Sequence, residues 1–219
     1  MAVTKQISIP ISDKIGSISG ITMIPKKAAM LLVLAHGAGA GMTHAFMEEV
    51  ASELYDRDIG TLRYNFPYME KGGKRPDPPA IAEKTVSVVV EFAKKKFADL
   101  SIFAGGKSFG GRMTSQRMAK ESIEYLNGIV FFGFPLHAIG NPSIDRAAHL
   151  KDVKVPMLFL QGTRDKLAEI DLIKKVVKGL KKAEIKVFEG ADHSFKVSKQ
   201  NILPQLADAT SQWMQKCVS

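Results

Sequence analysis

Short apolar runs bounded by glycine or proline alternate with longer amphipathic stretches along nearly the whole chain, and few architectures satisfy that pattern. A strand buried on both faces reads as a continuous apolar run, whereas a helix covering it carries apolar residues at spacings of three and four. Residues 3–11 and 17–24 are expected as two edge strands, and 30–35, 59–64, 100–104, 129–132, 156–160 and 185–188 as the strands that follow. Between them lie helical patterns. Thr43 caps a helix running to about Arg57, with Glu48 and Glu49 near its positive end. Asp77-Pro78 is a helix start followed by Ile81, Thr85, Val88, Val89 and Phe92. Residues 110–122 form a further helix; Ile170, Ile173, Val176, Val177 and Leu180 trace another, and Ile202, Leu206, Ala209 and Trp213 a closing one whose apolar face is core. This order predicts an α/β protein: a mostly parallel sheet of about seven to eight strands with helices on both faces. No repeat or linker divides it, so residues 1–219 are expected to form a single domain.

Composition narrows the function classes. Apolar residues make up 45% and charged residues 24%, which excludes a disordered or collagen-like chain. The longest apolar run, Ala28 to Ala35, is far below the roughly 20 residues a membrane-crossing helix needs. Met1-Ala2-Val3-Thr4-Lys5 has none of the marks of a secretory signal, so a cytoplasmic location is expected. The single cysteine, Cys217, is chemically incidental. Net charge is +9, yet Lys94-Lys95-Lys96, Lys174-Lys175 and Lys181-Lys182 fall near the ends of helical segments, where cations complement the helix dipole. Without interleaved aromatics they predict no nucleic-acid partner. No His, Cys, Asp or Glu cluster has metal-ligand spacing, so no metal is expected.

After the strand 100–104 the chain reads Gly105-Gly106-Lys107-Ser108-Phe109-Gly110-Gly111. A phosphate-binding loop would need a glycine five positions before Gly106, and Ser101 stands there. The competing pattern is Gly106-x-Ser108-x-Gly110, a cramped turn from strand to helix that lifts a serine above the sheet and leaves no room for side chains two positions away. A serine hydroxyl needs a base to take its proton and an acid to orient that base. In such sheets reactive groups stand at the carboxyl ends of strands. His193 follows the last strand, in Ala191-Asp192-His193-Ser194, and Asp165 lies just beyond the strand 156–160, in Gly162-Thr163-Arg164-Asp165. Asp192, adjoining the histidine, is the other candidate acid, although neighbours at the head of a loop usually point apart. The two backbone donors needed for an oxyanion are expected at Phe109 and at Ala38, in His36-Gly37-Ala38-Gly39-Ala40-Gly41.

With these residues in place the chain resembles the α/β-hydrolase superfamily over nearly its full length, and most of all its compact, dienelactone-hydrolase-like branch. Through His36-Gly37-Ala38-Gly39 and Leu62-Arg63-Tyr64-Asn65-Phe66-Pro67-Tyr68 it is similar to small predicted hydrolases related to a subunit of the non-specific-lethal histone acetyltransferase complex. With Ser108 as nucleophile, His193 as base and Asp165 as orienting acid, a serine hydrolase that needs no cofactor is expected. The resemblance also implies one departure, because dienelactone hydrolases use a cysteine nucleophile and here Ser108 stands in that place. The segment from Phe134 to Val155 is too short for a lid domain, so an open site suited to small soluble esters or thioesters is expected. A rival of another class is a non-catalytic interaction module that keeps the fold.

Other residues have simpler expected roles. Arg112 is read as a salt-bridge partner on the helix after Ser108 rather than a contact for an anionic substrate. Arg63 and Asn65 are expected to hold the next loop, and His36 to be a structural hydrogen-bonder. The loop from Asn65 to Pro79 carries Phe66, Tyr68 and Met69 and then Lys71, Lys74 and Arg75, and is expected to wall the acyl pocket and favour anionic substrates.

Overall fold

The computed structural model describes residues 3–198 and 200–219. Its frame is one eight-stranded sheet made of β1 (Thr4–Ser12), β2 (Gly16–Met23), β3 (Met30–Ala35), β4 (Ile59–Tyr64), β5 (Ser101–Lys107), β6 (Leu126–Phe132), β7 (Met157–Gly162) and β8 (Ala183–Phe188). The spatial order is β1-β2-β4-β3-β5-β6-β7-β8. β2 runs antiparallel to both β1 and β4, and every later pairing is parallel. The expectation that residues 17–24 form an edge strand is therefore corrected: β2 is interior, and the edges are β1 and β8. On β8 the exposed positions are Glu184 and Lys186, charges that discourage edge-to-edge pairing.

The period-two logic of a strand explains the central runs. Leu31, Val33 and Ala35 of β3 join one apolar layer, while Met30, Leu32 and Leu34 join the other. The first layer packs under α3 (Pro79–Lys96), α4 (Phe109–Lys120) and α5 (Ile170–Lys178). The second packs under α1 (Ala45–Tyr55) and α6 (Leu203–Val218), where Trp213 lies against Phe103 with ring centroids 6.0 Å apart. Leu32 and Leu34 are fully buried, each contributing about 1.5–3 kcal/mol. Lys94, Lys95 and Lys96 occupy the last turn of α3, the dipole-complementing position.

Two expected caps are corrected. His44, not Thr43, caps α1, its Nδ1 accepting from the Phe46 amide at 3.3 Å. Asp77 does not cap α3; its Oδ2 accepts from the Tyr68 amide at 3.0 Å, and α3 starts at Pro79, one residue beyond Pro78. For Asp77 the cause is a backbone donor nine residues back, which local spacing does not reveal. Within the 65–79 segment, α2 (Pro67–Glu70) forms a single turn. Between β6 and β7 there is one 3-10 helix, Asp145–Asp152, and no lid domain.

Candidate active site

Ser108 stands at the junction of β5 and α4 with φ 48° and ψ −111°, a strained backbone for a residue with a side chain. The strain depends on the flanking glycines. A Cβ on Gly106 would fall 2.3 Å from the Ala35 carbonyl oxygen, and one on Gly110 would fall 2.6 Å from that of His36. Only hydrogen fits, so the turn can press against the end of β3 and project the hydroxyl above the sheet.

His193 meets Ser108 from the turn after β8. Its Nε2 lies 2.8 Å from Ser108 Oγ and its Nδ1 2.7 Å from Asp165 Oδ2. Asp165 is only 4% exposed, and it accepts two further bonds: from Gln161 Nε2 at 2.6 Å and, on Oδ1, from the Leu167 amide at 2.8 Å. An acceptor-only carboxylate fixed from three directions holds the imidazole with Nδ1 protonated and Nε2 free to accept from the serine. Asp192 is placed differently. Its Oδ1 accepts from the amides of Ser194 and Lys196 within its own turn, so of the two candidate acids it is Asp165 that faces the ring.

Ala38 lines the cleft beside Ser108, Phe109 opens α4, and neither amide donates to a protein acceptor among the described residues. The loop bearing Ala38 is braced from below. His36, fully buried, donates from Nδ1 to the Gly37 carbonyl at 2.8 Å and accepts on Nε2 from the Phe66 amide at 3.0 Å. Burial lowers its pKa to about 4, so it stays neutral. Arg63 donates to the Met42 carbonyl at 2.8 Å, Asn65 Oδ1 accepts from the Met42 amide at 3.0 Å, and the Tyr68 hydroxyl accepts from the Gly39 amide at 3.3 Å. Arg63 and Asn65 thus hold the preceding 37–42 loop, and Asn65 also holds the following turn through Glu70 at 3.1 Å.

Above these groups opens a cleft of about 940 Å³ whose apolar wall includes Phe46, Met47, Phe195 and Leu203. Phe66, Tyr68, Met69, Lys71, Lys74 and Arg75 do not line it, which corrects the expectation that the 65–79 loop walls an acyl pocket and tunes it for anions. Phe66 and Tyr68 are instead buried against His36, at centroid distances of 5.1 and 5.8 Å, because they pack under the 37–42 loop. Arg112 is also corrected. Among the described residues no carboxylate lies within salt-bridge distance of it, and burial together with neighbouring Arg146 lowers its pKa. The 3-10 helix brings Arg146 and His149 toward that face of α4, with His149 Nε2 2.8 Å from Ser115 Oγ.

Two residues of the site escape sequence reasoning. Gln161 is a lone polar residue in an otherwise apolar strand; it accepts from the Phe134 amide at 3.1 Å while donating to Asp165. Its isolation among Met157, Leu158, Phe159 and Leu160 is the signal that could have found it. Lys107 lines the cleft next to Ser108, and burial lowers its pKa to about 8. Its signal is a lysine in a glycine-rich turn at the end of a buried strand.

Solved structures share this frame. The chain is similar to dienelactone hydrolase from Anabaena variabilis, at 20% identity over 98% of each chain with a TM-score of 0.80. It is similar to Est1E from Butyrivibrio proteoclasticus, at 15% identity over 97% of this chain and 98% of that one, TM-score 0.75. A serine hydrolase without a lid from Xanthomonas campestris aligns at 16% identity over 98% and 93%, TM-score 0.73. Residues 28–218 match the family described as Alpha/beta hydrolase domain, and the chain belongs to that family.

Proposed function

We propose that this chain is a serine hydrolase that cleaves small carboxylic esters or thioesters through an acyl-serine intermediate. The observation that carries the reading is the unbroken hydrogen-bonded chain from Ser108 through His193 to buried Asp165, opening on a cleft. Ser108 Oγ attacks the carbonyl carbon while His193 Nε2 takes its proton, and Asp165 stabilises the imidazolium. Negative charge on the former carbonyl oxygen meets the amides of Ala38 and Phe109, each such donor being worth about 10²–10³ in rate. Collapse expels the alcohol or thiol, which leaves with the proton from His193. Water then attacks the acyl carbon, gives its proton to His193, and the acid departs as the proton returns to Ser108. These steps use only groups of this chain and water. The likeness to Est1E and to an esterase domain from Rhodothermus marinus supports an ester, and the cleft between open loops suits a small one. The test is hydrolysis of p-nitrophenyl butyrate and of a short acyl thioester. Saturable turnover abolished by Ser108→Ala is expected; equal rates in wild type and Ser108→Ala would overturn the reading.

A further inference from the structure

Lys107 has a costly position. Its stem lies against the oxyanion-side loop, since a Cβ on Gly37 would be 3.4 Å from Lys107 Cγ, and its ammonium runs beneath the cleft to the backbone carbonyl of His193. The rings of Phe46 and Phe195 face that ammonium at 5.7 and 5.4 Å and stack on each other at 5.9 Å. A methyl placed on Gly133 would lie 3.1 Å from Lys107 Nζ and 3.4 Å from His193 Cε1, so ammonium and imidazole crowd the same point. Among the described residues no carboxylate forms an ion pair with Lys107. Desolvating an ammonium is unfavourable, and a charge-assisted hydrogen bond with two aromatic faces is what offsets it here.

The turn that bears His193 shows what this bond does. Asp192 N donates to the Lys196 carbonyl, Phe195 N to the Asp192 carbonyl, and Asp192 Oδ1 collects the amides of Ser194 and Lys196. All of those bonds are internal to residues 192–196. Among the described residues, the Lys107 ammonium makes the one hydrogen bond that joins the backbone of this turn to the rest of the chain, and it comes from the residue preceding Ser108.

We propose that Lys107 is a positioning residue: it ties the His193 turn to the nucleophile's own strand, so that base and serine keep their register as the reaction proceeds. The proposal rests on the serine-hydrolase reading, and it gives a charged residue in the elbow a role that phosphate binding does not.

Lys107→Met keeps the stem and its contact with the rings but removes the donor. A misplacement of about 1 Å can cost about 10²-fold, so kcat should fall about 10- to 100-fold with KM within about threefold of wild type, on neutral and acidic esters alike. The rate of phosphonylation of Ser108 by a fluorophosphonate should fall by a similar factor. A second variant separates the amine from packing. Lys107→Cys in a Cys217→Ser background, alkylated with 2-bromoethylamine as the thiolate displaces bromide, places an ammonium at nearly lysine's reach and should recover most of kcat. Ethylation of the same cysteine, lacking the amine, should not. Retention of kcat and phosphonylation rate within threefold in Lys107→Met would overturn the proposal, as would equal recovery with the two alkylating agents. A loss confined to KM for acidic esters would also overturn it, by making the ammonium a counter-ion for substrate. Failure of wild type to react with the fluorophosphonate would overturn the serine-hydrolase reading itself, a result distinct from these.

Discussion

The two loops that flank Ser108 are built on opposite plans. On one side, residues 36–42 are held by side chains from distant elements: Arg63 and Asn65 at the end of β4, Tyr68 on α2, and His36 reaching across to Phe66. On the other, the turn 192–196 is hydrogen-bonded mostly within itself; its long-range hydrogen bonds pass through the His193 ring and carbonyl, the latter held by the Lys107 ammonium, and its one buried apolar anchor is Phe195 against Phe46 and Phe188. The difference follows from what each loop must present. A backbone amide can be aimed only by fixing the chain itself, and buried polar side chains do that at the cost of desolvation that their hydrogen bonds must offset. An imidazole can be aimed at its two nitrogens, so Asp165 and Ser108 align the ring while the turn beneath it remains local.

The comparison predicts that damage on the histidine side costs activity with little stability, and damage on the oxyanion side costs both. The largest effect is expected from Ser108→Ala, with kcat reduced by about 10⁴-fold or more and the melting temperature nearly unchanged. Asp165→Asn should follow. It removes the charge and the acceptor that keep the imidazole in its working tautomer, and a loss of about 10³–10⁴ in kcat is expected, checked by steady-state kinetics alongside thermal melts. A comparable loss of stability in either variant would break the distinction drawn between the loops.

Acid should act mainly on the oxyanion side. His36 has a folded pKa of about 4 against 6.5 for the free side chain, so below pH 6.5 the unfolded chain binds a proton that the folded chain refuses. Stability from this group is complete above pH 6.5, declines as pH falls, and is lost below about 4; at pH 4.5 the loss is about 2.5 kcal/mol. His149, lowered to about 4 by burial first and nearby Arg112 second, adds in the same direction, less strongly because it is partly exposed. Urea unfolding at pH 7.0 and 4.5 measures the sum. His36→Gln, which can still accept from Phe66, should shrink the difference by about 2 kcal/mol; an unchanged difference would remove His36 from the explanation.

Asn65→Ala leaves the Met42 amide without its acceptor and should cost about 1–2 kcal/mol together with about tenfold in kcat. Tyr68→Phe gives the smallest effect, a fewfold drop in kcat and under about 1 kcal/mol, because the Gly39 bond is long.

Local rules make the frame legible in the sequence. Gly106 and Gly110 around Ser108 announce a turn in which neighbouring backbone excludes Cβ atoms, and the apolar run of β3 announces a strand with two buried faces. Chain order, Ser108 then Asp165 then His193, points to three groups that the fold brings into one hydrogen-bonded line. What local rules do not carry is the partner of a polar side chain far away in sequence. Gln161 and Lys107 take roles assigned by residues 27 and 86 positions distant. The 65–79 loop misleads for the same reason. Its aromatic and basic residues suggest a pocket wall, but only tertiary packing decides that Phe66 and Tyr68 go under the 37–42 loop rather than into the cleft.

The central claim is that Ser108 is an activated nucleophile, and intact mass after treatment with a fluorophosphonate tests it most directly. A single adduct on wild type, absent from Ser108→Ala and from His193→Ala, is the predicted result. Folded wild type that gains no mass, or a Ser108→Ala variant that gains the same adduct, would contradict it.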